Sequence, residues 1–458
     1  MNIGEKIQLE IKSVTYGVES LGYYNGFVVF VPFTVPGDIV DAEITNLAKN
    51  FARAKILAIV KPSSNRIDSV CKHFGECGGC HWQNIKYEYQ LKYKEDIVRN
   101  TLKRIGKLDD VLVQPTIAIG KEFEYRNKIQ IQVVPIDGNC GFGFYALKSH
   151  YLIDINSCPV QTKEANKLLL DIKEEIIKYK VVPYNEKDDS GILRHIVIRI
   201  ASSTQEAMVI FVAAKEINTF GFIAKTLIAK NQNLTSVILN VNEKKGNVVL
   251  SKTNKTIAGR GFINERLGEI KFVISPNSFF QVNTDAALNL YKVIVNILEF
   301  SGKETVLDLY SGIGSIALFV SKYALKVIGV EGDKNAVIDA TRNVHLNNIM
   351  NCEFRCGDVN DMLQEIVDKK ELKPDVVILD PPRKGCTQDV IKNIVKLAPK
   401  NIIYVSCDPA TLSRDLEKFK ELGYKTCEVQ PLDMFPHTFH IESIAKLYKS
   451  DCADTKNS

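Results

Sequence analysis

The chain has 458 residues, of which 45% are hydrophobic and 25% are charged, and its formal net charge is +5. This length exceeds what one hydrophobic core usually supports, so we expect two or three domains. No apolar run is long enough to span a membrane, and the opening MNIGEKIQLEIKS lacks the apolar segment of a signal peptide. These features predict a cytoplasmic protein, and the mild positive charge permits an anionic partner without identifying one.

Residues 1–62 alternate short β-rich runs with turn signals, among them Gly22, Gly26 and the Pro36-Gly37 pair. Strands at this spacing in so few residues predict a small closed barrel, because closure removes exposed sheet edges. The order of the runs resembles the TRAM domain, an OB-like module that binds RNA. The alternative is a small β accessory domain without a ligand.

Residues 63–282 are predicted to form a central α+β domain. A helical pattern near 84–105 is followed by the strand-like runs KIQIQVVP, LRHIVIRIA, EAMVIFVAA and TSVILNV. Two further helical patterns lie near 161–180 and 216–231. From residue 283 to 450 the pattern becomes strand–helix–strand, which is typical of a Rossmann-like α/β domain. Residues 451–458 form a polar tail.

The central region opens with a cysteine cluster. Cys71, Cys77 and Cys80 lie on a glycine-rich loop, and a closed metal site needs a fourth thiolate. Cys158, which precedes a proline, is the best candidate and Cys140 is the second. Eleven cysteines without a secretion signal favour metal-binding and catalytic roles over disulfides. Zinc and a [4Fe–4S] cluster both satisfy this ligand count.

The other cysteines, apart from the one discussed below, have no partner pattern. We interpret them as packing or surface residues: Cys352, Cys356, Cys386, Cys427 and Cys452.

Residues 305–317 combine an apolar strand that ends in the acidic Asp308, a Gly-x-Gly turn and the start of a helix. The third glycine of the dinucleotide fingerprint is absent. The segment instead resembles motif I of class I S-adenosylmethionine-dependent methyltransferases. The next strand ends at Glu331, about twenty residues on, where an acidic residue can accept hydrogen bonds from a ribose. Further strand ends carry Asp358 and Asp380, and this series indicates a site for S-adenosylmethionine.

Asp380 follows the apolar run VVIL, and Cys407 follows NIIYV, so each lies where a buried parallel strand is predicted to end. Cys407 also precedes a predicted helix, whose dipole favours a thiolate. The alternative is a buried structural cysteine. Asp-Pro-Pro is followed here by Arg383, and not by the aromatic residue of many amino-methylating enzymes.

Carbon 5 of uracil becomes nucleophilic only after something adds to carbon 6, and a thiolate can supply that activation. A base must then remove the proton from carbon 5. Glu442, in FPHTFHIES, is the candidate base, and a local cap or salt bridge is the alternative for it.

On these motifs the chain resembles the RNA uracil-5 methyltransferase family, and within it the 23S rRNA branch that carries an iron–sulfur cluster. The resemblance extends from the N-terminal barrel and the cysteine cluster to the motifs SFFQVN through HIES. It implies that Cys407 is the nucleophile and Glu442 the base. It implies an S-adenosylmethionine site formed by Gln281, Tyr310, Glu331 and Asp380. It favours a [4Fe–4S] cluster held by Cys71, Cys77, Cys80 and Cys158.

The resemblance also implies a monomer that acts on 23S rRNA, with the uridine flipped out or presented in a loop. Basic residues that suit phosphate contacts are Arg126, Lys128, Arg194, His195, Arg199, Arg383 and Lys384. Internal salt bridges are the alternative for the first five. Two other functions remain open at this point: a tRNA uracil-5 methyltransferase, and a non-catalytic RNA-binding assembly factor.

Overall fold

The computed structural model describes residues 1–136, 139–244, 246 and 248–449. The predicted polar tail and Cys452 lie outside the described residues. Within the described part of the chain, no helix has both the length and the apolar character needed to cross a membrane.

The N-terminal strands form a closed barrel in the order β1-β2-β3-β5-β4. The strands are β1 (Lys6–Val14), β2 (Glu19–Tyr24), β3 (Phe27–Pro32), β4 (Ile39–Leu47) and β5 (Phe51–Lys61). Buried and exposed positions alternate along β1, so Ile7, Leu9 and Ile11 point into the barrel and fill it with residues from the other strands. The predicted barrel is confirmed.

A loop that carries three of the cysteines connects the barrel to α1 (Tyr87–Arg104) and to two short strands, β6 (Leu112–Val113) and β7 (Ile117–Ala118). The central sheet follows, with the order β10-β9-β8-β11-β12-β13-β14. Its elements are β8 (Lys128–Ile136), β9 (Asn139–Tyr145), β10 (Leu152–Asp154), α2 (Lys163–Lys178), β11 (Leu193–Ile200), β12 (Ala207–Ala213), α3 (Thr219–Lys230), β13 (Leu234–Val241) and β14 (Asn254–Gly259). Helices α2 and α3 cover one face of this sheet, since their apolar residues share a core with alternate residues of β8 and β11.

A hairpin of β15 (Ile263–Leu267) and β16 (Ile270–Ile274) leads into the C-terminal half and is followed by α4 (Thr284–Leu298). Strands and helices then alternate: β17 (Thr305–Leu309), α5 (Ser315–Val320), β18 (Lys326–Glu331), α6 (Lys334–Leu346), β19 (Cys352–Cys356), α7 (Val359–Lys369), β20 (Val376–Leu379), α8 (Gln388–Leu397), β21 (Asn401–Ser406) and α9 (Pro409–Glu421). Two antiparallel strands complete the fold, β22 (Tyr424–Asp433) and β23 (Glu442–Lys449).

The C-terminal sheet has the order β19-β18-β17-β20-β21-β23-β22-β6. Strands β17 to β21 pair in parallel, and β23 runs antiparallel to β21. The predicted Rossmann-like methyltransferase architecture is confirmed. Strands β6 and β7 pair with β22, although the sequence pattern placed residues 112–118 in the central region. Two-residue strands have no periodicity from which their partner could be predicted.

Candidate active site

Asp380 and Cys407 directly follow two neighbouring strands, β20 and β21, which pair in parallel. All four residues of β20 are apolar and buried, and the polar Asp380 is the first residue after the strand. After Cys407 the chain turns into α9, whose N-cap is Asp408. The Asp408 carboxylate accepts hydrogen bonds from the N–H groups of Ala410 and Thr411 at 2.9 and 3.0 Å. Both predicted residues therefore lie at the carboxyl edge of the sheet.

Glu442 reaches the same edge from the opposite direction, because β23 is antiparallel to β21. Ser443 is the register partner of Ser406, so the next pair in that register is Glu442 and Cys407. Glu442 is only 4% exposed. A buried carboxyl group and a half-buried thiol thus lie side by side at the point where the sheet ends.

The electrostatic environment of Cys407 differs from the sequence prediction. Burial raises the pKa of the Cys407 thiol to about 12, and the Glu442 and Asp380 carboxylates add to the shift, while Arg383 opposes it. The direction of this pKa shift is opposite to the one predicted from the helix dipole. The helix dipole argument considered only residues next to Cys407 in sequence, and it missed two carboxyl groups brought in from other strands.

These carboxyl groups also perturb each other. Burial raises the pKa of Asp380 to about 7. Burial and the Asp380 charge raise the pKa of Glu442 well above its usual range, and Arg383 partly offsets this. Close carboxylates resist simultaneous ionisation, so this edge of the sheet retains protons at neutral pH. A positive charge brought beside such a carboxyl group favours its ionised form, which can then act as a base.

Asp308, inside β17, was passed over as a site residue. It is fully buried, and neither carboxylate oxygen makes a hydrogen bond to a described residue within normal geometry. Burial and then the Asp380 charge raise its pKa far above the ordinary value, and the nearby Ala317 N–H only partly counteracts this. A buried acid without a partner is rare outside functional sites, and this signal becomes visible only with the structure.

The Gly-containing turn after β17 is held by Glu331, which ends β18. The Glu331 carboxylate accepts hydrogen bonds from the Gly312 N–H at 2.9 Å and from the Asp333 N–H at 2.8 Å. Tyr310, at the start of the turn, has φ 63°, a left-handed conformation that is strained for a residue with a bulky side chain. The predicted residues Tyr310 and Glu331 therefore meet at this turn: Tyr310 begins it, and the Glu331 carboxylate, at the end of β18, binds its backbone.

Gln281 lies on the loop between β16 and α4, not on a strand. The Asn127 side-chain amide, from the central region, donates to the Gln281 carbonyl at 3.0 Å and to the Thr284 hydroxyl at 2.9 Å. The central region therefore holds this loop in place.

The barrel reaches the same site through the loop between β1 and β2. The Tyr16 hydroxyl donates to the Cys407 backbone carbonyl at 3.0 Å. Its ring contacts Phe439 edge-on with 5.4 Å between centroids, and Phe439 lies 4.6 Å from the His81 ring. The backbone N–H of His81 in turn donates to the backbone carbonyl of His437 at 2.9 Å. Barrel, cysteine loop and the segment before β23 thus meet beside Cys407.

The four predicted ligand cysteines line one cavity of about 210 Å³, which we call the cysteine cavity. Its thiols belong to Cys71, Cys77, Cys80 and Cys158. Burial raises the pKa of Cys80 to about 12 and that of Cys158 to about 11, and neighbouring thiols of the set add to both shifts. None of the described cysteines forms a disulfide. The second candidate, Cys140, is absent from the described lining, and its thiol donates to the Val181 carbonyl at 3.3 Å.

Among the described residues, no three potential ligands are close enough to hold a single metal ion. By their chemistry, four soft thiol donors on one cavity are the kind of ligand set that zinc and iron–sulfur sites use.

The predicted phosphate contacts differ in burial and in hydrogen bonding. Arg194 and Arg199 are buried and donate to backbone carbonyls, so they are structural residues. Neither they nor Arg126 and Lys128 form a salt bridge to a described residue within 4 Å. Arg383 is exposed and likewise unpaired within the described ranges, and it is the cation that acts on Cys407 and Glu442.

Two family models match the chain. The model described as tRNA (Uracil-5-)-methyltransferase matches residues 87–450, and the TRAM domain model matches residues 2–57.

Similar proteins agree with these matches. A protein of Clostridium tetani described as an uncharacterized RNA methyltransferase is 40% identical over 427 residues, covering 93% of this chain and 92% of its own. One from Halalkalibacterium halodurans with the same description is 36% identical over 98% of both chains. Among solved structures, Pyrococcus abyssi tRNA (uracil-54, C5)-methyltransferase in complex with S-adenosyl-L-homocysteine is 32% identical. That match has a TM-score of 0.76 and covers 96% of this chain and 99% of the other.

Proposed function

The chain belongs to the RNA uracil-5 methyltransferase family and carries a TRAM domain, and from this premise we propose that it methylates carbon 5 of a uridine in 23S rRNA, with S-adenosylmethionine as the methyl donor. The observation that carries the proposal is that Cys407, Glu442 and Asp380 lie next to one another at one edge of the sheet: Cys407 and Glu442 adjoin the register pair Ser406 and Ser443, and Asp380 follows the neighbouring strand β20. A thiol, a base and a second carboxyl group at one strand edge match what uracil methylation requires.

In the proposed reaction, the Cys407 sulfur forms a bond to carbon 6 of the uracil. Because the thiol pKa is raised, its proton must leave as the sulfur attacks, and we assign it to the Asp380 carboxylate, so that Glu442 stays unprotonated for the later step. Addition to carbon 6 makes carbon 5 nucleophilic. The uracil must be out of the RNA stack for the sulfur to approach its face.

When bound, S-adenosylmethionine supplies an electrophilic methyl group on a positively charged sulfur. The positive charge lowers the pKa of carboxyl groups near it, so Asp308, Asp380 and Glu442 are expected to ionise when the site is loaded. Gln281, Tyr310, Glu331 and Asp380 are the proposed contacts to this donor. Glu331 is suited to the ribose, since each of its oxygens retains a lone pair beyond its bond to the backbone.

Once carbon 5 carries the methyl group, Glu442 takes the remaining proton from that carbon. The electron pair of the C–H bond then forms the carbon 5–carbon 6 double bond, and the Cys407 sulfur leaves. The burial of Glu442 favours its role as base, because a desolvated carboxylate holds a proton more tightly than one in water.

We also propose that Cys71, Cys77, Cys80 and Cys158 hold a [4Fe–4S] cluster. The support is the shared cavity of these four thiols and the resemblance to the cluster-bearing branch. The direct contact between the cysteine loop and the segment before β23 suggests that the cluster stabilises the site and takes no part in methyl transfer.

One comparison favours a second candidate substrate, since the Pyrococcus abyssi protein is named a tRNA methyltransferase. The test is to incubate the purified protein with labelled S-adenosylmethionine and either unmodified 23S rRNA or unmodified tRNA. Label in carbon 5 of a uridine of 23S rRNA is expected. Label only in tRNA would replace the ribosomal substrate with a tRNA, and label in neither would contradict the enzymatic proposal.

A further inference from the structure

A second cavity, of about 390 Å³, lies on the central sheet, and none of the residues assigned to methyl transfer lines it. We call it the sheet pocket. Its lining includes Gln130, Gln132, Tyr145, His150, Tyr184 and His195.

The alternation of side chains along β8 explains why the pocket is polar. Ile129 and Ile131 face helices α2 and α3, so Gln130 and Gln132 project from the opposite face. On the next strand, His195 is the register partner of Gln132. Further along β11 and β12 the same face turns apolar and packs against the methyltransferase core through residues such as Val197, Met208 and Ile210. The sheet pocket therefore has a polar floor, which is the part of this face that the methyltransferase core leaves uncovered.

This floor has unused hydrogen-bonding capacity. Neither the Gln130 nor the Gln132 amide is paired with a described residue, and the buried Nδ1 atom of His195 has no partner there either. Burial and then the Arg194 charge lower the pKa of His195 to about 4, so its ring is neutral at physiological pH. Two amides and a neutral imidazole offer donors and acceptors without net charge. That is the pattern presented by the edges of nucleobases.

The walls of the pocket are flat and π-rich. The rings of Tyr145 and His150 lie 5.1 Å apart, and the Arg194 guanidinium lies 4.4 Å from the centre of the Tyr184 ring. Aromatic and guanidinium planes are the surfaces on which unstacked bases rest.

A phosphate fits the same pocket poorly. The Arg194 Nη1 atom donates to the carbonyls of Asn242 and Lys244 at 2.9 and 2.6 Å, which leaves the buried Nε atom without a partner among the described residues and only part of the guanidinium open to an anion. The Glu186 carboxylate also lines the pocket and would repel an anion. The chemistry of the pocket therefore favours a neutral, planar, hydrogen-bonding ligand.

The sheet pocket adjoins the cysteine cavity, because Gln130 lines both. The Gly78 N–H, on the cysteine loop, donates to the Tyr145 carbonyl at 3.1 Å, and His81 on the same loop contacts the segment beside Cys407. A chain of direct contacts thus connects the pocket with the methyl-transfer edge. We propose that the sheet pocket binds an unstacked nucleobase of the RNA substrate, distinct from the uridine that is methylated. This inference rests on the proposed function in requiring an RNA substrate.

The test measures RNA binding directly, without S-adenosylmethionine. Fluorescence anisotropy compares labelled single-stranded oligoribonucleotides of about twelve nucleotides, one for each base, with an abasic oligomer of equal charge. The variant is Gln132→Leu, which keeps the side chain's shape and removes its hydrogen bonds. Gln232→Leu, an exposed position after α3, is the matched control, and Tyr145→Leu removes one wall independently. Thermal melting checks that each variant is folded.

Gln132→Leu and Tyr145→Leu are expected to weaken binding of at least one base-bearing oligomer about 10-fold, with abasic binding unchanged. Gln232→Leu should bind every oligomer as the unaltered protein does. Unchanged binding by both folded pocket variants would overturn the proposal. An equal loss for abasic and base-bearing oligomers would also overturn it, because that result indicates a phosphate site. A protein that binds in this base-dependent way but transfers no methyl group would contradict the proposed function alone.

Discussion

The Cys407 thiol and the four thiols of the cysteine cavity are all half-buried, and their neighbours differ. Carboxyl groups that can exchange a proton with it lie beside Cys407, together with the charge of Arg383. The thiols of the cysteine cavity are surrounded mainly by one another and by backbone N–H groups. Burial raises thiol pKa values in both places. The difference teaches that a cysteine's role is indicated less by its own pKa than by whether a proton acceptor or further metal ligands lie beside it.

The strongest way to test this comparison is to remove the isolated thiol. Cys407→Ala should lower uridine methylation on the order of 10⁴-fold or more, because no other described group at this edge supplies the covalent bond to carbon 6. Binding of S-adenosylmethionine, measured by calorimetry, should be retained. Cys427→Ala, an exposed thiol on β22, is the control and should leave turnover unchanged. Normal turnover of Cys407→Ala would refute the covalent mechanism.

The role of Glu442 as acceptor of the carbon 5 proton is tested by Glu442→Gln. Turnover should fall about 10²–10⁴-fold, and a covalent protein–RNA adduct should accumulate, since the thiol can add but the carbon 5 proton remains. The adduct would run as a slow band on a denaturing gel. It should disappear when Cys407→Ala is combined with Glu442→Gln. If no adduct forms in the single variant, another group serves as the base.

The other group of thiols is tested by metal content. Cys80→Ser should reduce the iron of anaerobically purified protein to background, because a closed site loses one of its four ligands. Cys140→Ser should retain the metal, since that thiol binds a carbonyl away from the cavity. Elemental analysis and the visible absorption spectrum provide the measurement. Zinc without iron in the unaltered protein would replace the cluster with a zinc site.

A smaller effect is expected from the unpaired acid. The raised pKa of Asp308 means that the folded protein holds this proton more tightly than the unfolded chain. Its contribution to stability is therefore full below the unfolded pKa of about 4 and declines as pH rises above it. Asp308→Asn cannot ionise, so it should stabilise the protein at pH 8 by about 1–3 kcal/mol and have less effect near pH 4. Chemical denaturation at both pH values provides the measurement. An equal effect at both would indicate packing and not ionisation.

Much of the architecture was predictable from local patterns. The buried strands before Asp380 and Cys407 appear as apolar runs, and the barrel appears as closely spaced turns. The electrostatics were less predictable. The pKa of Cys407 is raised first by burial and then by the charge of Glu442, thirty-five residues away in sequence, and both depend on the folded structure. Asp308 was recognised as an acidic strand end but given no role for a related reason, since its lack of a hydrogen-bond partner among the described residues is a property of the folded core.

The sheet pocket illustrates the same limit. Gln130 and Gln132 are unremarkable polar positions of an alternating strand, and only the register with His195 shows that they share a surface. Arg194 and Arg199 were predicted to contact phosphate because they are basic, yet both are fixed by backbone carbonyls. Charge can be read from sequence, whereas the partner of a charge depends on topology.

The hydrogen bond from Tyr16 to the Cys407 carbonyl has a consequence for how the protein can be divided. The barrel cannot be treated as a detachable RNA handle, because one of its loops forms part of the wall that supports the reactive turn. A chain shortened to its last two regions would therefore differ in maximal rate as well as in RNA affinity. Exchanging barrels between relatives should preserve activity only where the incoming loop supplies an equivalent hydroxyl donor.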